Sequence, residues 1–317
     1  MLFFAILKMK NKKLAIAIPT YNRSIILKEN IELMLDEIRK FSIPVYISDD
    51  SDNHDTRLVF EEIKEKYEFI YYFKNSPSLG HDKNCIATLN LPDEDYIWYL
   101  GDSIIIEQNG ISKILKIIEN GNYSFISVNA NMRNIDIPTS IYTNPNSLLV
   151  DLGWHLTYTG ATIYAKEELK YLSNLKLDNC SNYPQTAIIF DRFSLGEKKM
   201  FWVNEVLVYG NKNKKSYWAN NVFKIFLSDW EDLIHNLPTT YSNKNKEITL
   251  IMHSKKTNLF GLFRMLNYRL EGIFNYKVLS KYYKLIIKHS NVNIFLLLII
   301  SIFPKNFLYV FKKLLNK

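Results

Sequence analysis

Four short apolar runs in the first hundred residues each close on polar side chains, and stretches of helical periodicity separate them. The runs cover residues 14–18, 45–48, 69–73 and 96–100. Apolar runs of this length suit strands buried on both faces, and strands alternating with helices imply βαβ units and a parallel sheet. Between the first two runs, Ile25, Leu27, Ile31, Leu33, Met34, Leu35 and Ile38 recur at helical spacing after Asn22 and Ser24, either of which is placed to cap. Leu58, Phe60, Ile63 and Tyr67 repeat the pattern, and a third helix is expected near residues 83–89. Sheets of this kind bind ligands outside the carboxyl ends of their strands. Asn22, Asp49, Asp50 and Asp102 directly follow apolar runs, where the sheet presents them to a ligand.

Beyond residue 122 the pattern changes. A strand is expected over 123–128 and a helix over 169–177, while 187–193 and 201–209 are apolar runs, the second rich in β-formers. Residues 148–162 carry aromatics and a glycine, the Asn/Lys-rich stretch 210–216 reads as a loop, and no repeat of fixed period is visible. With 317 residues, 47% of them hydrophobic, the chain buries a full core as one large domain or one with an appendage. Cys85 and Cys180 lack CxxC spacing, which points to buried thiols in a reducing compartment and to neither a disulfide framework nor zinc. The opening MLFFAILKMK places its lysines after its apolar run and does not read as a secretory signal; Met9 is a plausible true start, with residues 1–8 an extension.

The last sixty residues differ in kind. From 257 to 317 there are ten basic residues (Arg264, Arg269, Lys277, Lys281, Lys284, Lys288, Lys305, Lys312, Lys313, Lys317) against the single acid Glu271, in a chain whose net charge is +8. Phe, Tyr, Leu and Ile are interleaved with them. The apolar run 294–303 is too short to span a bilayer, and Pro304 and Lys305 end it. The reading is a basic amphipathic helical region lying on an anionic membrane surface, against the alternative of a helical core with a solvated basic face. Positive charge also allows nucleic acid, but no recognition motif is present and none is expected as a partner.

Four motifs, IPTYNR at 18–23, ISDDSDN at 47–53, SLGHDKN at 78–84 and YIWYLGD at 96–102, occur in an order and spacing that resemble the family 2 glycosyltransferases. The resemblance is good over 12–118 and weaker over the next hundred residues. It implies an α/β GT-A fold, a Rossmann-like mixed sheet flanked by helices. The expected division is an N-terminal extension (1–11), a GT-A catalytic domain (12–250, with donor-binding half 12–118 and acceptor half 119–250) and the basic helical region (251–317). It also implies transfer of a sugar from a nucleotide-diphosphate donor to a glycan or lipid-linked acceptor with inversion, in bacterial capsule, O-antigen or lipooligosaccharide synthesis. The expected location is cytoplasmic, peripheral on the inner face of the cell membrane.

On this resemblance the donor contacts are Pro19, Thr20, Tyr21, Asn22 and Arg23 after the first strand, Asp49 and Asp50 after the second, Lys83 and Asn84, and Gly101, Asp102 and Ser103 after the fourth. Asp50 is expected to accept the imide N–H of a uracil-like base, Thr20 and Tyr21 to wall base and ribose, and Lys83 to face the diphosphate. Asp102 is the expected ligand of Mg²⁺ or Mn²⁺. Ser103 stands where several relatives carry a second metal-binding Asp. Either Asp102 alone retains the metal with phosphate oxygens and water, or metal dependence is weakened.

The acceptor half is less explicit. The family's general base usually lies in an ED pair some thirty residues beyond a segment resembling 159–164, and this chain has no such pair. Asp191 and Asp178 are the two candidates, the alternative for Asp191 being an ion pair with the adjacent Arg192. Trp154 and His155 are candidates for the acceptor pocket, Trp154 by stacking on a sugar face; the alternative for both is a buried aromatic patch. No spacing among the histidines suggests a metal cluster. A sugar nucleotidyltransferase needs a Gly-rich, Arg-containing loop after the first strand, which 19–23 is not. The reduced metal motif keeps open a non-catalytic glycan- or lipid-binding member of the same fold.

Overall fold

A computed structural model describes residues 9–131, 133, 135–213, 218–305 and 307–308; the start-site reading of residues 1–8 and three of the ten C-terminal cations, Lys312, Lys313 and Lys317, lie outside them. The chain resolves into two compact units. The first comprises residues 1–145, 155–177 and 184–214, and the second 146–154, 178–183 and 215–317.

The first four apolar runs become β1 (Leu14–Thr20), β2 (Val45–Asp49), β3 (Ile70–Lys74) and β4 (Tyr96–Tyr99), separated by α1 (Ser24–Lys40), α2 (Asp55–Lys66) and α3 (His81–Asn90). β5 (Ile104–Ile106), α4 (Gly110–Asn120), β6 (Phe125–Ala130), β7 (Ser140–Tyr142), α5 (Pro145–Leu152), β8 (Thr162–Ala165), α6 (Lys166–Leu169), α7 (Pro184–Ser194) and β9 (Met200–Gly210) follow. All nine strands form one sheet in the order β3-β2-β1-β4-β8-β6-β9-β5, with β7 also on β9. The parallel arrangement expected from the alternating pattern holds from β3 to β4. β8 then runs antiparallel to both β4 and β6, so the sheet is mixed.

Period-two alternation explains the two faces. Leu14, Ile16 and Ile18 join Val45 and Ile47 in a core with Leu27, Ile31 and Ile38 of α1 and Val59 and Ile63 of α2. The smaller Ala15 and Ala17 take the opposite face, and α3 packs on β1 and β2 through Cys85, Thr88 and Leu89. Helix α1 starts without a side-chain cap, its N-cap being Arg23, so neither Asn22 nor Ser24 does what the sequence suggested. The helix expected over 169–177 is replaced by the four-residue α6 and single 3₁₀ turns at Leu172–Asn174 and Leu177–Asn179. Ser173, Asn174, Asp178 and Asn179 offer side-chain oxygens that compete for local backbone donors and interrupt a longer helix.

The second unit is helical. A π-helical turn (Lys224–Asp229) runs into α8 (Trp230–His235), followed by α9 (Asn243–Thr257), α10 (Leu262–Glu271), α11 (Tyr276–His289) and α12 (Ile294–Ile302). Its core is aromatic: Phe223 meets the rings of Phe260, Tyr268, Phe274 and Tyr282. Glu231 gathers three cationic or imidazole partners, with Lys288 Nζ at 2.8 Å, His289 Nε2 at 2.9 Å and His235 Nε2 at 3.1 Å. Although burial raises its pKa, these bonds outweigh the burial and hold the carboxyl down at about 2. No described helix is long and apolar enough to cross a membrane.

Candidate active site

The carboxyl ends of β1, β2 and β4 bring most of the expected donor residues together. Asp50 N donates to the Thr20 carbonyl at 3.0 Å, joining the ends of β2 and β1. Beyond them the two loops are stitched by side chains. Tyr21 Oη and Asn22 Nδ2 donate to Asp52 at 2.6 and 3.2 Å, Asp52 N donates to Asn22 Oδ1 at 3.1 Å, and Asn22 N to Ser51 Oγ at 2.8 Å. Asn22 takes the left-handed conformation (φ 52°) that asparagine tolerates better than most residues. Tyr21 is half exposed, and Pro19 is partly exposed beside buried Thr20.

Asp102 closes this group from β4. Its Oδ1 accepts from Arg23 Nη1 at 3.1 Å and its Oδ2 from Thr20 Oγ1 at 3.2 Å, while its carbonyl accepts from Asn30 Nδ2 at 2.7 Å. The Arg23 side chain is 21% exposed and that of Asp102 9%, so the ion pair is sheltered but reachable. Ser103 is buried next to it, its carbonyl accepting from Asn211 N at 2.8 Å, and Asn211 in turn donates to Asn30 Oδ1 at 2.8 Å. A Cβ at Gly101 would meet Thr159 Cγ2 at 3.4 Å, an ordinary van der Waals contact, so the turn itself does not demand glycine there. Gly160 has φ +102°, and a Cβ on it would come within 2.8 Å of Ile104 Cγ2, so glycine is required at that position.

Three expected donor contacts have other work. Asp50 accepts four hydrogen bonds, from Asn75 Nδ2 (3.0 Å) and Leu79 N (2.7 Å) on Oδ1, and from Ser78 Oγ (2.7 Å) and Gly80 N (2.8 Å) on Oδ2. A carboxylate has about four lone-pair sites, and all are filled. In this arrangement Asp50 clamps the 75–80 loop and has no acceptor site left for a base N–H. Asn84 is likewise internal, accepting from Ser48 Oγ at 2.7 Å and Asn75 Nδ2 at 3.0 Å. Asp49 is fully buried and accepts from Ser51 N (3.0 Å), Tyr72 Oη (2.8 Å) and Lys74 Nζ (3.2 Å). Burial pushes the Asp49 carboxyl up, but the bonds from Ser51, Tyr72 and Lys74 win and leave it below the usual range. Lys83 is exposed on the first turn of α3.

The acceptor-side candidates do not gather in the same way. Asp191 is exposed on α7, and its neighbour Arg192 turns to Glu168 at 2.9 Å and stacks over the Tyr171 ring at 4.0 Å, so the Asp191–Arg192 pair weighed from sequence does not form. Asp178 is exposed on the 3₁₀ turn at Leu177–Asn179. Trp154 is 4% exposed and His155 is fully buried. His155 Nε2 lies 2.8 Å from the Val128 carbonyl and its ring meets Trp202 edge-on at 5.3 Å. Burial, then the charge of Arg133, drive its pKa down to about 3, so it is a neutral imidazole donating to Val128. The buried aromatic reading describes both residues, because an enclosed ring offers no face to an acceptor.

The pairing of Arg23 with Asp102 and the burial of Gln185 have no counterpart in the local sequence pattern. Gln185 sits in the first turn of α7, 5% exposed, and its side-chain oxygen accepts no hydrogen bond among the described residues. A buried amide at a helix start carries no sequence signal, which is why it went unseen. As for Mg²⁺ or Mn²⁺, the described residues contain no group of three metal-ligating side chains. Asp102 is a single carboxylate already facing a guanidinium, so the described residues alone do not furnish a metal site; a cation would need further oxygens from the donor.

A mixed sheet flanked by helices, with polar loops converging at the ends of β1, β2 and β4, is the architecture of a nucleotide-sugar transferase of the GT-A class. The model of glycosyl transferase family 2 matches residues 15–202, and the chain belongs to that family. It is therefore a glycosyltransferase. Over 105 residues it is 32% identical to the abequosyltransferase RfbV of Salmonella typhimurium, a match that spans 31% of this chain and 30% of that protein. It is 21% identical to the GalNAc(5)-diNAcBac-PP-undecaprenol beta-1,3-glucosyltransferase of Campylobacter jejuni over 95% of this chain and 97% of that one. Among solved structures, S. aureus TarS (residues 1–349) matches with a TM-score of 0.57 and 14% identity, covering 86% of this chain and 81% of that one. The mannosyltransferase PcManGT of Pyrobaculum calidifontis, solved with GDP-Man and Mn²⁺, matches with a TM-score of 0.54 and 11% identity over 87% and 80%.

Proposed function

We propose that the chain transfers a sugar from a nucleoside-diphosphate donor, held at the ends of β1, β2 and β4, to a hydroxyl of a lipid-linked glycan during bacterial surface-polysaccharide synthesis. The observation that carries this reading is the meeting of Thr20, Arg23 and Asp102 at two adjacent strand ends. TarS has been solved with UDP-GlcNAc, and the Campylobacter relative's name specifies an undecaprenol-linked acceptor; both are consistent with the donor and acceptor classes.

In the proposed reaction an acceptor hydroxyl attacks the anomeric carbon from the face opposite the diphosphate. The new C–O bond forms as the bond to the β-phosphate oxygen breaks, the proton passes to a carboxylate, and the nucleoside diphosphate leaves with the bonding electrons. Asp191 and Asp178 are the candidates for that carboxylate. Arg23 supplies positive charge where the leaving group develops negative charge, and Asp102 fixes its position. Tyr21, with partly exposed Pro19 in place of the expected but buried Thr20, walls the base and ribose, and the 75–80 loop, held by Asp50, shapes that wall. Lys83 adds an exposed positive charge from α3. Mg²⁺ or Mn²⁺, when bound with the donor, would be held by Asp102 and would neutralise diphosphate charge.

The enzyme is proposed to act at the cytoplasmic face of the membrane as a peripheral protein, a reading supported by its basic C-terminal helices and by a membrane-held acceptor. Incubation with a panel of nucleotide sugars, with release of nucleoside diphosphate as readout, tests the reaction. At least one donor should turn over; a chain that hydrolyses and transfers none, with or without divalent metal, is not the enzyme described. Because Asp102 is a lone, ion-paired carboxylate, Mn²⁺ should bind only together with a nucleoside diphosphate. Titration followed by Mn²⁺ electron paramagnetic resonance checks this, and tight Mn²⁺ uptake by the free protein would contradict it.

A further inference from the structure

Helix α12 buries Leu297, Ile300 and Ser301 and exposes Phe295, Leu298, Ile299 and Ile302 to 73, 38, 50 and 59%. These positions fall at i, i+3, i+4 and i+7, which is one continuous helical face made only of large apolar side chains. The face extends past the helix end through Phe303 and Phe307, both exposed, whose rings meet edge-on at 5.8 Å. Scattered exposed hydrophobics need no explanation, but a continuous patch of this kind marks an interaction surface.

Charge narrows what covers it. Helix α11 packs on α12 and shows an exposed stripe of Tyr276, Tyr283 and Ile287 beside a row of Lys277, Lys281 and Lys284, all exposed. At the end of α12 two more cations are fixed by backbone carbonyls, Arg269 Nη2 donating to Phe303 O and Lys305 Nζ to Leu270 O, each at 3.0 Å. The only acid from α10 to α12 is Glu271. A second protein copy would bring the same cations against these, whereas an anionic bilayer offers hydrocarbon to the apolar face and phosphates to its rim. Nine residues cannot span a membrane but are long enough to lie in its interface.

We propose that the exposed face of α12, with Phe303 and Phe307, inserts into the interface of an anionic bilayer while Lys277, Lys281, Lys284, Arg269 and Lys305 sit among the lipid headgroups. This deepens the proposed membrane-held acceptor and rests on it. It adds which side chains enter the lipid and which stay with the phosphates.

Flotation of the full chain with vesicles of phosphatidylcholine alone, or with one third phosphatidylglycerol, tests it without donor or acceptor. The wild type should float with the anionic vesicles and far less with the neutral ones. Ile299→Glu/Ile302→Glu, a change confined to exposed positions, should lower partitioning at least about tenfold with an unchanged melting temperature. Lys277→Gln/Lys281→Gln/Lys284→Gln should lower it by about a hundredfold on anionic vesicles only, each lysine being worth about fivefold near such a surface. Equal binding to both vesicle types, wild-type flotation of the Ile double variant, or a wild-type dimer that the Ile substitutions dissociate would each overturn the proposal. Donor hydrolysis measured in parallel without lipid separates the two readings. Absence of donor hydrolysis in the wild type strikes the transferase reaction, and absence of flotation alone strikes the membrane face.

Discussion

Two aspartates at the ends of β2 and β4, the strands that flank β1, have opposite surroundings. Asp50, after β2, is 2% exposed and takes four hydrogen bonds from the neutral donors of one loop. Asp102, after β4, faces the Thr20 hydroxyl and a partly exposed guanidinium. Neutral donors that fill every lone pair leave a carboxylate with nothing to exchange, so its value is structural. An ion pair at the edge of solvent can exchange partners, because an incoming phosphate competes for the guanidinium on equal electrostatic terms. Sequence alone made the two residues look alike, each an Asp ending an apolar strand. On the proposed reaction, the difference divides the site into a part that builds the cleft and a part that would meet the donor's charge.

The sharpest way to break that division is to remove each carboxylate in turn. Asp102→Ala should lower kcat/KM for donor turnover by about a hundred- to a thousandfold, the usual loss when preorganised charge at a reacting diphosphate is disturbed. Its unfolding midpoint should fall less than that of Asp50→Ala, because the stranded Arg23 side chain is 21% exposed and can turn to solvent. Asp50→Ala should show the reverse emphasis. Stranding the donors of the 75–80 loop costs about 3 kcal/mol of stability in denaturant titrations, with a smaller fall in turnover through a misplaced wall. If Asp50→Ala abolishes donor binding while leaving the unfolding midpoint in place, Asp50 touches the donor directly and the contrast collapses.

The fold was legible where one pattern ruled. β1 to β4 and α1 to α3 follow from short apolar runs and helical spacing, because a parallel sheet covered on both faces makes its strands uniformly apolar. Legibility fell where β8 enters antiparallel between β4 and β6 and where Ser173, Asn174 and Asp178 break a helical pattern into single turns. The apolar run 187–193 belongs to α7, a helix buried nearly all round, which periodicity cannot distinguish from a strand. In the site, the strand-end residues were visible but their partners were not. Arg23 lies 79 positions from Asp102, and the donors that saturate Asp50 come from 25 to 30 positions further along. Such pairings are made by the tertiary fold, and no local pattern encodes them. His155 shows the same limit from the other side, since a histidine beside a tryptophan reads equally as a binding pair or as core until its burial is seen.

Asp49, one residue before Asp50, gives the smallest and most specific test. It is a buried carboxylate held ionised by Tyr72, Lys74 and Ser51, so its folded pKa lies below its unfolded one. A depressed carboxylate contributes stability that is present above the unfolded pKa of about 3.9 and is lost as the pH falls through the lower folded value. Tyr72→Phe removes one hydroxyl donor from that carboxylate and leaves the ring's packing against Phe60 in place. At pH 7 the variant should be about 1.5 kcal/mol less stable than the wild type, the size of one hydrogen bond to a charged group. Below about pH 4 the gap should shrink, because a protonated Asp49 gains less from the tyrosine than its anion does. Urea titrations at pH 7 and pH 3 measure both ends. A gap of equal size at the two would mean that the Tyr72 hydroxyl stabilises this strand end without regard to the charge on Asp49, and Asp49 would then join Asp50 as a carboxylate whose bonding, and not its ionisation, does the structural work.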